Sequence, residues 1–358
     1  MKILHLHTEL NLACGITRTI TQIVSYSPKS SIHYIISLGG NALNRFEIFN
    51  DKLNVFTFNR NTISGTLNIL FALFTYCKKN SVQIVHSHHR YFDTLIWILK
   101  PFLKIKTITS VQSKVSGIKL FSYKADRLIA CSGTIKKHLI EFFNIDERRI
   151  KVVFNVVDSK SISISQELKQ FKMSIGIELD KFVIGFIGRI DFAEKGVDIL
   201  LDAFNELSIS NPNIHLLLIG DGANNQEVKS FCDLHKTNTT FLTSKENIFD
   251  YYNLMDLVVL PSRVDPFPLT MIESGYMNRP FIGSNVDGIP ELISNEENGL
   301  LFESGNVEEL KTQIARIYND RKFGEKLAEN LHKKVLDSFT VDKIIPQYEK
   351  LYSELLVE

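Results

Sequence analysis

Two cations follow one apolar run in the stretch GRIDFAEKGVDILLDAF, residues 188–204. The run FVIGFIG ends at Gly188, Arg189 follows directly, and Lys195 and Gly196 precede a helix-like pattern. A strand that leads through a Gly-containing loop into a helix favours anions, because free backbone N–H groups and the helix dipole both attract negative charge. The two side chains add two full positive charges, so the turn predicts a diphosphate ligand.

The same turn admits a simpler interpretation. Arg189 and Lys195 can instead pair with Asp191 and Glu194 on a solvated surface. Neither of the first strand–helix turns of the two halves carries G-x-G-x-x-G, which argues against a nicotinamide or flavin site.

A pair of carboxylates lies eight positions apart in LVVLPSRVDPFPLTMIESGYMNRPFIGSNVDGIPELI, residues 257–293. These are Asp265 and Glu273. One carboxylate accepts two hydroxyl hydrogen bonds at once, which suits a vicinal diol such as that of a ribose or a sugar. The alternative is a helix-capping Asp265 and a surface Glu273.

Histidines cluster at the end of another apolar run, VQIVHSHHR, which contains His86, His88 and His89. Imidazoles are common metal ligands, but successive strand residues point to opposite faces, so His88 and His89 cannot face one ion without a bend. The sequence also lacks an acidic D-x-D triplet. We therefore expect no metal and no other cofactor. Core or capping histidines remain the alternative to a site, and His5 in the first strand is interpreted as structural.

The elements that position these residues are short apolar runs of four to seven residues that alternate with helical patterns. This alternation is typical of parallel α/β sheets, in which ligands bind beyond the carboxyl ends of the strands. It is interrupted once by the polar stretch DSKSISISQELKQ, residues 158–170. We predict domains at 1–158 and 159–340, with a helix at about 341–358 that packs back on the first.

These motifs together resemble glycosyltransferase family 4. The G-R-x5-K-G pattern at 188–196 resembles the donor-diphosphate motif of that family, and residues 257–293 resemble its signature block. ADRLIACS, IGDG and FTVDKIIPQYEKLY match in kind and order, so the resemblance covers nearly the whole chain. It implies the GT-B fold, in which two Rossmann-like domains face an interdomain cleft.

The resemblance also implies roles for individual residues. It assigns catalytic positions to His88, Arg189, Lys195 and Asp265. It assigns donor-binding positions to Gly15, Gly188, Arg189, Lys195, Leu269, Thr270 and Glu273. Secondary candidates are His86, Arg18 and Gly220. Two positions depart from the family pattern: Asp265 stands where Glu is usual, and Pro268 stands where Gly is common.

Within this pattern, Glu273 holds the nucleotide ribose and Asp265 contacts the transferred sugar. The backbone N–H groups of Leu269 and Thr270 meet the distal phosphate. His88, and secondarily His86, faces the donor sugar.

The function that the resemblance implies is retaining, metal-independent transfer of a sugar from a nucleotide-diphosphate sugar to a glycan or lipid-linked acceptor. Synthesis of bacterial cell-surface polysaccharide is the expected setting. Two alternatives stay open. One is a nucleotide-sugar epimerase of the same fold, and the other is a nucleotide-sugar-binding subunit without turnover.

Charge is distributed unequally along the chain. Residues 1–170 carry 23 Lys and Arg against 10 Asp and Glu, whereas residues 171–358 carry 18 against 30. The basic half includes KPFLKIK at 100–106, so we expect peripheral contact with an anionic membrane. Scattered surface lysines are the alternative. No nucleic-acid reader motif is present, and the apolar stretches are too short to span a bilayer. We expect a cytoplasmic, membrane-associated protein.

Overall fold

The computed structural model describes residues 1–11, 14–42, 53–245 and 247–358. The chain forms two compact units. The first comprises Met1–Asn155 and Val341–Glu358, and the second comprises Val156–Thr340.

The first unit is built on a seven-stranded sheet whose paired strands all run parallel. Its strands are β1 (Lys2–His7), β2 (Ile32–Ser37), β3 (Leu53–Val55), β4 (Ile84–Ser87), β5 (Lys106–Val111), β6 (Arg127–Ala130) and β7 (Ile150–Val152). Their spatial order is β3-β2-β1-β4-β5-β6-β7.

Helices cover both faces of this sheet. Those described are α1 (Gly15–Tyr26), α2 (Ile63–Asn80), α3 (Arg90–Leu99), α4 (Gly133–Glu141) and the C-terminal helix α14 (Val341–Val357). Apolar residues of β1 and β4, among them Leu4, Leu6 and Val85, pack with residues of α2 and α3. Side chains alternate along a strand, so His5 and His86 lie on the opposite face. There, the Tyr352 hydroxyl of α14 lies 2.7 Å from His86 Nδ1.

The second unit is built on a six-stranded sheet that is also parallel. Its strands are β8 (Phe182–Ile187), β9 (Ile214–Ile219), β10 (Thr239–Leu242), β11 (Leu257–Leu260), β12 (Phe281–Ser284) and β13 (Leu300–Phe302). Their order is β10-β9-β8-β11-β12-β13. All six residues of β8 are buried, as expected for a central strand covered on both faces.

In the second unit one helix precedes the first strand, and one or two helices follow each strand. They are α5 (Leu168–Ser174), α6 (Phe192–Lys195), α7 (Val197–Ser210), α8 (Asn225–Leu234), α9 (Phe249–Leu254), α10 (Leu269–Tyr276), α11 (Ile289–Leu292), α12 (Val307–Asn319) and α13 (Arg321–Ser338). The prediction of two parallel-sheet α/β units is confirmed. Among the described residues, none of the helices combines the length and the apolar character needed to cross a bilayer.

Candidate functional site

The centre of the candidate site is an ion pair between Lys195 and Asp265. Lys195 ends the single-turn helix α6, and its Nζ lies 2.6 Å from Asp265 Oδ2. The Asp191 carboxylate caps α6 by accepting from the Glu194 N–H at 2.8 Å. Gly196 then takes a left-handed conformation, with φ of 62°, which ends α6 and starts α7. The local sequence therefore forms a sharp turn that directs the ammonium group at Asp265.

Asp265 is buried, and polar groups on three sides hold it. Its carboxylate accepts from the Ser262 hydroxyl at 3.1 Å, and its own N–H donates to Asp287 Oδ2 at 3.0 Å. Burial raises the pKa of Asp265, and the Lys195 ammonium and the Ser262 hydroxyl oppose that rise. A buried carboxylate thus faces the Lys195 ammonium group directly.

Arg189 follows β8, but its ion pairs are formed with residues other than Lys195 and Asp265. Its side chain is 51% exposed, it forms an ion pair with Glu194, and its Nε lies 3.7 Å from Asp191 Oδ2. These are the pairs that the solvated-turn interpretation predicts. The structure thus brings Lys195 to Asp265 and Arg189 to the carboxylates of its own turn.

Helix α10 begins beside the carboxyl end of β8. Pro268 occupies its N-cap position without a side-chain cap, so the first N–H groups, starting at Leu269, belong to a helix N-terminus. The Thr270 hydroxyl donates to the Ile187 carbonyl at 2.9 Å, which fixes the start of α10 against the end of β8. One turn further along, Glu273 is buried and accepts from the Tyr252 hydroxyl at 2.9 Å.

Glycines allow the loops that follow the neighbouring strands β8 and β9 to approach each other closely. The Gly188 N–H donates to the Ile219 carbonyl at 3.0 Å. A Cβ on Gly220 would overlap the carbonyl oxygen of Gly188, and a Cβ on Gly222 would overlap that of Ile190. The glycines at these positions therefore serve backbone packing between the loops after β8 and β9.

Gly15 and Arg18 lie at the start of α1 in the first unit. Gly15 is the first residue of that helix, and its carbonyl accepts from the Thr19 hydroxyl at 3.1 Å. Cys14 occupies the N-cap position without a side-chain hydrogen bond. Residues 12–13 of the same loop lie outside the described residues.

The predicted histidines His86 and His88 are both buried in the first unit. His86 Nδ1 lies 2.7 Å from the Tyr352 hydroxyl, and His86 Nε2 lies 2.8 Å from the Ser110 hydroxyl. His88 Nε2 lies 3.1 Å from His5 Nδ1. Burial is the main cause that lowers the pKa of both predicted histidines well below the usual value, so both imidazoles are neutral near pH 7.

A possible set of metal ligands emerges from the same cluster. One ring nitrogen each from His5, His86 and His88 lies within 4.8 Å of the others. His89, which the sequence motif also includes, instead caps α3 by accepting from the Tyr91 N–H at 3.1 Å. Sequence reasoning did not identify this set because His5 is distant in sequence and reaches the others only through strand register, opposite His86.

Sequence reasoning also missed three residues that support the carboxylates, namely Tyr252, Ser262 and Asp287. Ser262 stands three residues before Asp265, so its proximity could have been noticed. Asp287 has a positive φ of 47°. The turn-forming sequence NVDG is consistent with such a conformation. Nothing in the sequence indicates that Tyr252 meets Glu273, because that contact depends on how α9 packs.

Family comparisons agree with these motifs over most of the chain. The model described as Glycosyltransferase Family 4 matches residues 14–161, and the model described as Glycosyl transferases group 1 matches residues 169–334. The two matches meet close to the division between the structural units.

Individual proteins are similar at lower identity. A UDP-Gal:alpha-D-GlcNAc-diphosphoundecaprenol alpha-1,3-galactosyltransferase of Escherichia coli is 23% identical over 80% of this chain and 79% of its own length. A capsular polysaccharide biosynthesis glycosyltransferase, CapM of Staphylococcus aureus, is 25% identical over 67% of this chain and 64% of its own length. Across five curated relatives, the matched segment spans 54 to 79% of the length of the relative.

The fold is similar to that of HepE from Anabaena, solved in complex with UDP-glucose. The TM-score is 0.86 at 18% identity, and the match covers 99% of this chain and all of the other. At this identity the likeness is one of fold.

Proposed function

The chain belongs to the glycosyl transferases of group 1 and carries their family 4 domain, and from that membership we propose the reaction. The chain transfers a sugar from a nucleotide-diphosphate sugar to a hydroxyl of a glycan or lipid-linked acceptor, with retention of configuration. Its two Rossmann-like units are those of the GT-B fold.

The observation that carries this proposal is the Lys195–Asp265 pair beside the N-terminus of α10. An ammonium group has three donors, so Lys195 can bind a phosphate oxygen while it keeps its bond to Asp265. The N–H groups of Leu269 and Thr270 add the positive end of a helix. Positive groups fixed near a leaving diphosphate stabilise the charge that develops as the sugar bond breaks.

Glu273 supplies the second recognition element. A carboxylate can accept from both hydroxyls of a ribose, and the Tyr252 hydroxyl holds Glu273 in orientation. The Thr270 bond to Ile187 keeps α10, and with it Glu273, in fixed register with β8. This arrangement supports a nucleotide, rather than a simple sugar phosphate, as the leaving group.

The names of similar proteins support a UDP-sugar as the donor. HepE was solved with UDP-glucose, and the Escherichia coli relative is named for UDP-Gal and a diphosphoundecaprenol-linked acceptor. The capsular polysaccharide relative supports a role in surface-polysaccharide synthesis.

The proposed chemistry uses the groups of the chain and the donor alone. The acceptor oxygen attacks the anomeric carbon on the face from which the diphosphate departs, and the bond between that carbon and the phosphate oxygen breaks. The electron pair stays on the departing phosphate oxygen, which takes the proton of the acceptor hydroxyl. Lys195 and Arg189 supply the positive charge, so we expect full activity in the presence of a metal chelator.

A donor screen tests the function. Thermal shifts with UDP-, GDP- and ADP-sugars should show stabilisation by one nucleotide class, because a ligand of the folded state stabilises it in proportion to the logarithm of its concentration over Kd. Lys195→Ala should lose much of that shift, and Arg189→Ala should lose less of it. Lys137→Ala, which removes a cation of a surface pair with Glu141, serves as the control and should keep it.

Two results would contradict the proposal: no shift with any nucleotide sugar, or the same shift in Lys195→Ala and wild type. Product analysis separates transfer from epimerisation, because an epimerase alters the nucleotide sugar in the absence of an acceptor.

We also propose that the first unit docks on an anionic lipid surface. Large apolar side chains are exposed around α3 and the segment that follows β5, among them Phe102 (70%), Ile118 (69%) and Leu120 (67%). Trp97 and Phe121 join these two segments, with ring centroids 6.4 Å apart. The unit carries 23 Lys and Arg against 12 Asp and Glu, which complements an anionic surface.

A further inference from the structure

A cavity of about 330 Å³ lies at the amino ends of three neighbouring strands in the first unit. Lys106 is the first residue of β5, Arg127 is the first residue of β6, and Arg149 directly precedes β7. Because β5, β6 and β7 are parallel neighbours, their amino ends share one edge of the sheet. Gly15 and His88, two of the predicted site residues, instead follow the carboxyl ends of their strands. The cavity is therefore separate from the site predicted from the motifs.

Positive side chains outnumber negative ones in the lining of this cavity. The charged residues of the lining are four cations and two carboxylates, namely Lys106, Lys124, Arg127, Arg149, Asp126 and Glu358. Both lysines are half-buried. Within the part of the chain that the structure describes, neither lysine forms an ion pair or a side-chain hydrogen bond. Two half-buried lysines thus line one cavity without a negative partner.

The two carboxylates of the lining are already paired with other cations. Asp126 forms an ion pair with Lys100, and it accepts from the N–H and the hydroxyl of Thr107, each at 2.9 Å. Glu358 forms an ion pair with Arg127. The charges of the two unpaired lysines therefore remain available for a ligand.

Arg149 is fixed in the lining by two backbone carbonyls. Its Nη2 donates to the Tyr123 carbonyl at 3.1 Å and to the Ala125 carbonyl. Because Lys124 lies between these two residues in the chain, the same bonds hold Arg149 close to the segment that carries Lys124. A guanidinium group has further N–H donors on Nε and Nη1, which suit the oxygens of an anion.

The composition of the lining indicates a polar anion as the ligand. Ala125 and Leu355 are its only apolar residues, so the cavity offers little surface to an apolar molecule. Lysine and arginine together are typical ligands of phosphate oxygens. The volume lies near the lower end of the range for small-molecule sites, about 300 Å³, which accommodates a phosphate with a small organic group. The surplus of Lys and Arg in the first unit, 23 against 12 Asp and Glu, also attracts an anion.

We propose that this cavity binds a phosphate group through Lys106, Lys124 and Arg149. The proposal rests on contacts within the first unit alone. It assigns a ligand to an edge of the sheet that the sugar-transfer reaction does not use. Free phosphate compounds and the headgroups of anionic phospholipids share the required chemistry.

The position of Phe102 favours a phospholipid headgroup as the source of the phosphate. Phe102 is 70% exposed. It lies between Lys100, which pairs with Asp126 of the lining, and Lys106, which lines the cavity itself. An exposed aromatic ring close in sequence to a phosphate site is suited to enter the lipid interface while the headgroup is bound. This choice of source rests on the membrane docking proposed above.

Calorimetric titration of the full chain with inorganic phosphate and with glycerol 3-phosphate tests the phosphate site. NaCl keeps the ionic strength constant, so that general screening of charge is equal in all samples. The wild type should bind both compounds. The double variant Lys106→Gln with Lys124→Gln should bind them roughly tenfold more weakly, because two charge-assisted hydrogen bonds are lost. The control, Lys29→Gln with Lys137→Gln, removes the same charge from exposed positions of the same unit and should bind like the wild type.

Two results would overturn the phosphate site. One is no binding of either compound by the wild type, and the other is equal binding by the two double variants. Should the Lys106→Gln with Lys124→Gln protein fail to fold, each of its single substitutions is compared with Lys137→Gln. A single variant that binds more weakly than Lys137→Gln would support the site, and binding equal to that of Lys137→Gln in both single variants would overturn it.

Flotation with vesicles distinguishes the two sources of phosphate. Vesicles of phosphatidylcholine and phosphatidylglycerol in equal parts are compared with vesicles of phosphatidylcholine alone. The wild type and the control double variant should float with the anionic vesicles, and the Lys106→Gln with Lys124→Gln protein should float much less. Addition of glycerol 3-phosphate should reduce flotation of the wild type, because it occupies the same cavity.

The outcomes for the site and for its source are separate. Equal flotation of the two double variants, together with weaker binding of soluble phosphate by the Lys106→Gln with Lys124→Gln protein, would overturn the headgroup and assign the cavity to a free phosphate compound. Failure of the wild type to float would count against the proposed docking, whereas the calorimetric result would still decide the phosphate site.

Discussion

Among single residues, Lys195 combines the features expected of a phosphate ligand. It is 20% exposed, it is directed by a one-turn helix, and it forms an ion pair with the buried Asp265. Arg189 is more exposed and already paired with Glu194. We therefore expect Lys195 to contribute more than Arg189 to stabilisation of the leaving group.

Lys195→Ala should lower kcat/KM about 100- to 1000-fold, the usual effect of removing one group that stabilises developing charge. The measurement is initial-rate kinetics with the donor found in the screen. Lys311→Ala, which removes a lysine paired with Glu206 and Glu308 in the same unit, is the control and should leave kcat/KM nearly unchanged. Equal losses in both variants would point to general destabilisation.

The buried histidines predict how stability depends on pH. The folded-state pKa of His5, His86 and His88 lies below that of the unfolded chain. Stability is therefore full above the unfolded pKa of about 6.5 and falls as the pH drops below it, because the unfolded chain takes up protons that the folded protein does not. Each such histidine contributes a slope of about 1.4 kcal/mol per pH unit.

Calorimetric unfolding at pH 7.5, 6.5 and 5.5 checks this slope. His86→Gln should show a shallower loss of stability toward low pH, since one titrating imidazole is gone. Tyr352→Phe should lower stability at every pH, because it removes the hydroxyl beside His86 Nδ1, yet it should keep the wild-type slope. The same slope in His86→Gln and wild type would contradict the assignment.

At the scale of elements, the turn from α6 to α7 is the most constrained part of the site. Gly196 has a φ of 62°, and a Cβ there would overlap the carbonyl oxygen of Pro261. The Arg263 N–H donates to the Glu194 carbonyl at 2.7 Å, which ties α6 to the segment after β11. The backbone itself therefore sets the direction of Lys195.

Gly196→Ala should destabilise the protein more than Gly176→Ala, and the two form a matched pair. Gly176 also has a positive φ, of 79°, but open space surrounds the position of its Cβ. Gly176→Ala should cost only the conformational penalty of about 1 kcal/mol. Gly196→Ala adds the displacement of Pro261, so it should also weaken donor binding.

Chemical denaturation and the thermal-shift screen provide the two measurements. Equal free energies of unfolding for the two variants would show that the contact with Pro261 does not constrain the turn.

Strands and helices were largely predictable from the sequence, because burial imposes local patterns. The run FVIGFIG became β8, and the helical pattern after Gly196 became α7. Helix α5 was not expected within the polar segment after residue 158, since its seven residues present little apolar periodicity. The contacts among the buried histidines could not be predicted, because they depend on the register of β1 against β4 and on Tyr352 of α14, which lies 266 residues after His86.

For the candidate site, motif spacing identified Lys195 and Asp265, which the structure joins. Their supporting residues are brought in by packing of elements that carry no motif, as Tyr252 of α9 is brought to Glu273. Residues of a candidate site can thus be identified from the sequence where they directly follow the end of a strand. They cannot be identified where their contacts depend on how elements distant in sequence pack together.

At the scale of the whole molecule, net charge distinguishes the first unit from the second. The second unit carries 18 Lys and Arg against 28 Asp and Glu, so only the first has the sign that attracts an anionic membrane. Phe102 and Leu120 are exposed within that basic unit.

The double variant Phe102→Asp with Leu120→Asp should abolish flotation with vesicles that contain anionic lipid. Burial of each such side chain in the lipid interface is worth about 1.5–3 kcal/mol, and the added carboxylates are repelled. Ile209→Asp, at an 83% exposed position of the second unit, is the control and should float like the wild type. Failure of the wild type to float with anionic vesicles would remove the docking proposal.

The chain enters and leaves the second unit at neighbouring points, since the Val157 N–H donates to the Phe339 carbonyl at 3.0 Å. Val341 then begins the helix that completes the first unit. In topological terms, residues 156–340 are an insertion into an otherwise continuous host. A single recombination cassette bounded by these two adjacent points would exchange the whole second unit while leaving the sheet of the first unit and its buried histidines intact.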